Sequence, residues 1–166
     1  MIHIVLYEPE IPQNTGNIMR TCVATGMKLH LIEPLGFLLD EKKLRRSGMD
    51  YMEQLNWELH EDWQAFRKTY PQKLYFVTRY SQKKYTDFSF SADEEIFLVF
   101  GKESTGIPLD ILKENLGACM RIPMVADARS LNLSNSVSIV SYEVLRQLDF
   151  PNLSTEEVIK GKDWIY

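Results

Sequence analysis

The stretch RSLNLSNSVSIVSYE, residues 129–143, joins a polar run directly to an apolar helical pattern. Leu133, Val137, Val140, Val144 and Leu148 recur at the spacing of one helix face, which predicts a helix packed against a core. The serines and asparagines before and within this pattern favour caps and turns over helix interiors. Two interpretations stay open from this segment alone: a heavily capped helix with a solvated serine face, or a helix start whose N–H groups and polar side chains bind a ligand.

Short apolar runs alternate with helical stretches through the rest of the chain. The runs HIVLY, LHLIE, LYFVT, IFLVFG and CMRIPM predict strands, and a charged helix is expected after LHLIE. This alternation predicts an α/β fold with a mostly parallel sheet flanked by helices on both faces. Pro12 and Gly26 predict a first helix from about Gln13 to Thr25, and Pro108 opens a short helix further on.

Length and composition indicate one globular domain. The 166 residues are 45% hydrophobic and 25% charged, with no repeat and no linker that would divide the chain. Residues 1–153 are predicted to form the domain, and residues 154–166 form a tail of uncertain role. Two distant cysteines, no signal peptide and no apolar run long enough for a bilayer lead us to expect a soluble cytoplasmic protein without a membrane partner.

The net charge of −4 argues against a broadly basic surface for binding nucleic acid, but it is compatible with a local basic patch. Each basic cluster is interpreted as a solvated face. The clusters comprise Lys42, Lys43, Arg45 and Arg46, then Arg67 and Lys68, then Arg79, Lys83 and Lys84.

Three polar segments follow or lie close to predicted strands: PQNTGNIMRTC (residues 12–22), FGKESTGIP (residues 100–108) and RSLNLSNS (residues 129–136). Ligands of open α/β sheets bind outside the carboxyl ends of the strands, so these segments are expected to converge. Neither a Walker A motif nor a GxGxxG turn is present, which disfavours an NTPase or an NAD enzyme. Taken alone, Glu103 fits a surface turn and Arg20 a solvated helix position.

No metal site is expected from the spacing of histidines, cysteines and acids. His3, His30 and His60 lie in or beside strand-like runs, and no Ser/His/Asp arrangement can be assembled from them. They are interpreted as structural residues.

Taken together, NTGNIMRTC, FGKESTGIP and RSLNLSNSVSIVSYE resemble the three motifs of the SPOUT superfamily of RNA methyltransferases. The resemblance covers residues 1–150, and the opening IVLYEPEIPQNTGNI is similar to the TrmL (YibK) branch of tRNA wobble-nucleotide 2′-O-methyltransferases. It implies a trefoil knot in the C-terminal segment, a homodimer that uses the serine-rich helix, and the anticodon stem-loop of tRNA as substrate, with cytidine or uridine as the target. The polar run would then form the knot loop and the start of the last helix around S-adenosylmethionine.

The resemblance also implies roles for individual residues. The cofactor-binding residues, which would hold S-adenosylmethionine and its product S-adenosylhomocysteine, are Thr78, Arg79, Gly101, Lys102, Glu103, Ile122, Met124, Ser130, Leu131, Asn132 and Asn135. The catalytic positions are Asn14, Arg20, Glu103, Ser130, Asn132 and Tyr142, the last on the dimer and RNA side. Because the pKa of a guanidinium exceeds about 12, we expect Arg20 to orient the nucleotide, stabilise an alkoxide or act with a substrate phosphate, and these three roles stay open.

Two other functions are compatible with the sequence. A catalytically silent knotted dimer could serve as an RNA-binding or assembly protein, and the absence of cofactor turnover would distinguish it. A small-molecule α/β enzyme would instead have a closed pocket that does not depend on nearby basic side chains.

Overall fold

One parallel sheet organises the molecule. The computed structural model describes residues 1–40, 42 and 52–166. The strands in these ranges are β1 (Ile2–Tyr7), β2 (Lys28–Ile32), β3 (Trp57–His60), β4 (Leu74–Val77), β5 (Ile96–Gly101) and β6 (Cys119–Met120). Their order is β3-β2-β1-β5-β4-β6, and every neighbouring pair is parallel. The predicted parallel α/β sheet is therefore confirmed.

Strand β1 lies at the centre of the sheet, between β2 and β5. Ile4 pairs with Leu29 on one side and with Leu98 on the other, and all six residues of β1 are buried. Strands that are buried along their whole length are typical of parallel sheets covered on both faces. Because all strands run in the same direction, the loops that follow β1, β4, β5 and β6 meet at one edge of the sheet.

Four helices have described bounds: α1 (Pro12–Thr25), α2 (Trp63–Thr69), α3 (Leu109–Glu114) and α4 (Leu133–Gln147). Pro12 occupies the start of α1, and Gly26 ends the helix in the left-handed conformation with φ of 70°. The predicted bounds of the first helix are confirmed to within one residue. The last helix follows the predicted apolar stripe, since Val137, Val140 and Val144 are all buried.

Two apolar cores cover the two faces of the sheet, as the sequence predicted. On one face, Ile18 of α1 and Val140 of α4 pack with Ile4. On the other face, Phe66 of α2 and Leu112 of α3 pack in a smaller cluster around β1 and β5. Helices α1 and α4 are therefore held together on the larger core, which fixes their N-terminal ends relative to the sheet edge.

The sequence prediction missed β3 and α2. Strand β3 reads WELH, so only part of it looks apolar, and it lies at the edge of the sheet where one side is exposed. Helix α2 had a signal that could have found it, because Asp62 caps it by accepting a hydrogen bond from the Ala65 N–H at 2.7 Å. The predicted charged helix and the basic residues Lys43, Arg45 and Arg46 lie outside the described residues.

The C-terminal residues differ from the rest of the chain in burial. Leu153 packs against the larger core, whereas the side chains of residues 154–166 are exposed. The trefoil knot stays a prediction from the resemblance. Among the described helices, none is both long enough and apolar enough to span a membrane.

Candidate functional site

A cavity of about 520 Å³ opens at the carboxyl edge of the sheet. Its size is that of an ordinary small-molecule site. Eleven of the sequence-predicted site residues line it: Asn14, Thr78, Arg79, Gly101, Lys102, Glu103, Ile122, Met124, Ser130, Leu131 and Asn132. The three polar segments therefore converge as expected.

The carboxylate of Glu103 joins the second polar segment to the first. It accepts hydrogen bonds from the backbone N–H groups of Glu10 at 2.9 Å and Ile11 at 3.1 Å, and from Asn14 Nδ2 at 3.4 Å. Helix α1 has no side-chain cap of its own, so this carboxylate takes part of that role from outside the helix. Glu103 is thus committed to positioning the loop between β1 and α1.

A pair of asparagines joins the first segment to the third. Asn132 Nδ2 donates to Asn14 Oδ1 at 2.9 Å, while Asn132 Oδ1 accepts from the backbone N–H groups of Ser134 and Asn135 at the start of α4. The orientation of both amides follows from these partners, because only the oxygen of Asn132 can accept the two N–H groups. We call the linked residues Glu103, Asn14 and Asn132 the motif network.

Gly101 is required by the sheet itself. Its φ is 97°, and a Cβ atom at this position would lie 2.8 Å from the backbone oxygen of Tyr7. Gly101 was predicted to bind the cofactor, and the structure shows that it also lies against the end of β1. Any side chain here would push β5 from β1 at the mouth of the cavity.

Two further contacts join the loop after β1 to the loop after β5 beside the cavity. Lys102 Nζ donates a hydrogen bond to Glu8 Oε2 at 2.5 Å, and this bond raises the pKa of Lys102. The Ser104 hydroxyl donates to Glu10 Oε1 at 2.6 Å. Both contacts bind the loop after β5 to the loop after β1, so the two loops form one wall.

Three predicted site residues lie outside the cavity lining in the single chain: Arg20, Asn135 and Tyr142. All three are exposed, Arg20 on α1 and the other two on α4. Two serines of α4 differ in burial. Ser138 is half-buried beside Thr21, whereas Ser141 is fully buried inside the chain. Ser141 thus packs within the chain and is not part of an exposed face.

The sequence profile of the SpoU rRNA methylase family matches residues 1–142. The chain belongs to this family. It is 49% identical over 154 residues to the tRNA (cytidine(34)-2′-O)-methyltransferase of Escherichia coli K12, covering 91% of this chain and 96% of the relative. The motif resemblance to SPOUT methyltransferases is therefore confirmed.

Two solved structures support the same relationship. A candidate RNA methyltransferase of Bacillus anthracis has a TM-score of 0.91 and 43% identity, covering 95% of this chain and all of that chain. A structure described as giving insight into 2-OH methylation of C/U34 on tRNA has a TM-score of 0.80 and 41% identity, with 89% of this chain and 95% of that chain covered.

Several residues that line the cavity of this SpoU-family chain were missed in the sequence. They include Val77, Tyr80, Phe100, Ile107 and Ser136. Phe100 and Ile107 are buried at the two ends of the second segment, where their position directly beside the glycines was the available signal. They supply an apolar floor beneath the polar loops.

A second buried polar cluster lies away from the cavity. His3, His30 and His60 come from β1, β2 and β3, and their ring nitrogens meet at 2.9 Å and 3.0 Å. His3 Nε2 lies 2.5 Å from Glu95, whose pKa is lowered by this hydrogen bond. An ionised Glu95 fixes the direction: each histidine donates from Nε2, and His3 and His30 accept at Nδ1. We call this row the histidine chain.

The far end of the histidine chain has the composition of a metal site, because His30, His60 and Glu58 offer ligand atoms close together. Its geometry is that of a hydrogen bond. The two ring centroids are 5.2 Å apart and the nitrogens 3.0 Å apart, so the nitrogens point at each other along one line. An ion on the line between the two nitrogens would lie closer to each of them than the roughly 2.0 Å of a Zn–N bond.

Burial keeps the histidine chain neutral. It lowers the pKa of His30 to about 3, helped by the neighbouring His3 and His60, and it also lowers the pKa values of His3 and His60. Glu58 is occupied by Lys28 and by the Tyr70 hydroxyl, which donates at 2.7 Å. The histidine chain is therefore a structural network whose members hydrogen-bond to one another.

Proposed function

We propose that this protein transfers a methyl group from S-adenosylmethionine to the ribose 2′-hydroxyl of the wobble nucleotide of tRNA, cytidine or uridine. The observation that carries the proposal is the motif network, which brings three segments of a methylase-family chain around one cavity. The relative from E. coli is named for this activity at cytidine 34.

The cavity residues fit a nucleoside joined to an amino acid. Apolar side chains such as Phe100, Ile107 and Ile122 suit a flat base, and the surrounding loop backbone and hydroxyls suit ribose and amino acid polar groups. When bound, S-adenosylmethionine supplies an electrophilic methyl group on a sulfonium. We assign its binding to the predicted residues that line the cavity, and we propose that binding needs no metal.

The protein's part in the reaction is alignment and charge control. Glu103 already accepts three hydrogen bonds, so it acts as a positioning residue and not as the base. Asn14 and Asn132 fix the first turn of α1 against the start of α4. Arg20 is exposed, and we assign it to the RNA side, where a guanidinium can orient a phosphate and stabilise negative charge on the ribose oxygen.

We also propose a homodimer, acting in the cytoplasm, whose interface includes the exposed part of α4. Ile139 and Tyr142 are large apolar or aromatic side chains exposed on this helix, and the half-buried Ser138 next to them allows close approach of another helix. A second copy would cover this surface, and sedimentation should show a dimer at assay concentrations. A fully active monomer would contradict it.

Transfer of radiolabelled methyl groups to total tRNA, followed by nucleotide mapping, tests the activity. We expect one 2′-O-methyl group at the wobble position, and calorimetry in chelator should still show stoichiometric cofactor binding. Complete absence of transfer would favour a catalytically silent RNA-binding protein, and a strict need for a divalent ion would contradict the metal-free site.

Arg20→Ala sharpens the assignment of roles. We expect it to abolish methyl transfer while cofactor affinity stays near wild type, because only an interaction with the reacting RNA is lost. Arg20→Lys should rescue poorly, since an ammonium lacks the planar fork of a guanidinium. Single-turnover methylation of anticodon stem-loop RNA measures both variants. Near-normal turnover by Arg20→Ala would remove this residue from the reaction.

A further inference from the structure

Three arginines lie at or beside the rim of the cavity without a described acidic partner. Arg79, Arg121 and Arg129 form no salt bridge with any residue that the structure describes. By contrast, Arg146 makes two bonds to Glu143, and Arg67 donates to three backbone carbonyls after α2. We call the three residues the arginine patch.

Hydrogen bonds from guanidinium groups to backbone carbonyls link the residues of the arginine patch to one another. Arg121 Nη1 donates to the carbonyl of Arg79, and Arg79 Nη1 donates to the carbonyl of Arg129 at 2.8 Å. Each of these two guanidinium groups uses one of its five N–H donors in these bonds. The remaining donors are available to an anion, and the bonds that are made hold the three residues close together.

The loop that carries Arg79 is fixed along β6. The Thr78 N–H donates to the carbonyl of Met120 at 2.9 Å, and the Arg121 N–H donates to the carbonyl of Lys83 at 2.8 Å. The Tyr85 N–H returns to the carbonyl of Arg121 at 2.9 Å. Because the loop is already held at three points, a ligand that binds there does not have to order it first.

An exposed aromatic ring adjoins the arginine patch. Tyr80 lines the cavity and is 61% exposed, and the Arg79 guanidinium lies 5.5 Å from the centre of its ring. An exposed aromatic ring beside free guanidinium groups is typical of surfaces that stack an unpaired base and bind its phosphates.

We propose that the arginine patch binds the phosphates flanking the methylated nucleotide and that Tyr80 stacks on an adjacent unpaired base. The inference rests on the proposed function and adds the residues that hold the RNA. Arg79 is also assigned to the cofactor, but the single carboxylate of the cofactor pairs with one guanidinium fork and leaves Arg121 and Arg129 for the RNA. In a chain of net charge −4, a local patch of three arginines suits a polyanion.

The test is the salt dependence of RNA binding. Fluorescence anisotropy of a labelled anticodon stem-loop, in the presence of S-adenosylhomocysteine, gives the slope of log affinity against log salt concentration. Arg121→Gln and Arg129→Gln should each reduce this slope by about 0.7, the value for one phosphate contact in a single strand. Tyr80→Ala should weaken binding about 10-fold without changing the slope, and Tyr80→Phe should bind normally.

Two controls separate charge from position. Lys68→Gln removes one positive charge from α2, which packs on the face of the sheet opposite α1 and α4, and should leave the slope unchanged. Arg121→Lys keeps the charge and should keep the slope. Patch variants that behave like Lys68→Gln, or that lose only cofactor affinity in calorimetry, would overturn the inference. If the wild type binds no anticodon RNA, the proposed function fails with it, whereas methylation with unchanged slopes defeats the inference alone.

Discussion

The motif network and the histidine chain are both networks of hydrogen-bonded polar side chains, but they are built differently and buried to different degrees. The motif network joins loop and helix-end residues at the carboxyl edge of the sheet and borders a cavity. The histidine chain joins strand side chains and packs against aromatic rings, with His3 4.0 Å from Phe97 between ring centres. Its members satisfy one another inside the core. A linked set of polar side chains therefore indicates a binding site here where it borders the cavity, and not where it is enclosed in the core.

The largest expected effect on stability comes from Gly101→Val, at the sheet edge beneath the motif network. The new side chain would meet the Tyr7 backbone at a strained φ, so we expect the free energy of unfolding to fall by about 3 kcal/mol, with loss of cofactor binding. Urea denaturation and calorimetry measure the two effects.

Gly161→Val is the matched control for this change. Gly161 also has a positive φ, but no atom lies within 4 Å of a Cβ built there. It should leave cofactor binding unchanged. Equal loss of binding in both variants would show that the contact with β1 is unimportant.

The histidine chain should make stability depend on pH. Its pKa values are lowered from 6.5 in the folded chain, so the histidines stay neutral there while the unfolded chain takes up protons. Stability is then complete above about pH 6.5 and lost as the pH falls toward the lowered values. Each histidine protonated only on unfolding contributes a slope of about 1.4 kcal/mol per pH unit.

Urea denaturation between pH 7 and pH 5 measures this slope, in a range above the ordinary pKa values of the carboxylates. His30→Gln should have a shallower slope than wild type, because one of the titrating groups is gone. A wild-type stability that is flat over this range would refute the neutral histidine chain.

The smallest effect is expected from a region that belongs to neither network. Removal of residues 154–166, which are exposed, should change the free energy of unfolding by less than about 0.5 kcal/mol. Thermal denaturation of the shortened chain measures it. A larger loss would mean that the domain does not end at residue 153.

The sequence predicted the parts of the fold whose signals are local. The bounds of α1 came from Pro12 and Gly26, and the stripe of α4 came from its valines. The convergence of the three segments followed from parallel strands, because their carboxyl ends share one edge. The hydrogen bonds within the motif network needed the structure, since Glu103 and Asn14 are far apart in the chain.

Other features depend on contacts that leave no local pattern. The histidine chain draws one residue from each of three strands, and only their pairing register aligns the rings. Strand β3 has too few apolar residues to be recognised without its neighbour β2. The hydrogen bond from Arg79 to the carbonyl of Arg129 likewise forms only when the loops after β4 and β6 fold against each other.

The most direct test compares single-turnover methylation of anticodon stem-loop RNA by Asn14→Ala and His30→Gln at pH 7.5, with folding of both variants checked by circular dichroism. Asn14 bridges Glu103 and Asn132 at the cavity, so we expect its variant to lose about 100-fold or more in rate. The His30 variant should stay within about threefold of wild type, because the change lies outside the site. A normal rate for Asn14→Ala, or an equal loss in both variants, would contradict the claim that the motif network positions the site for methyl transfer.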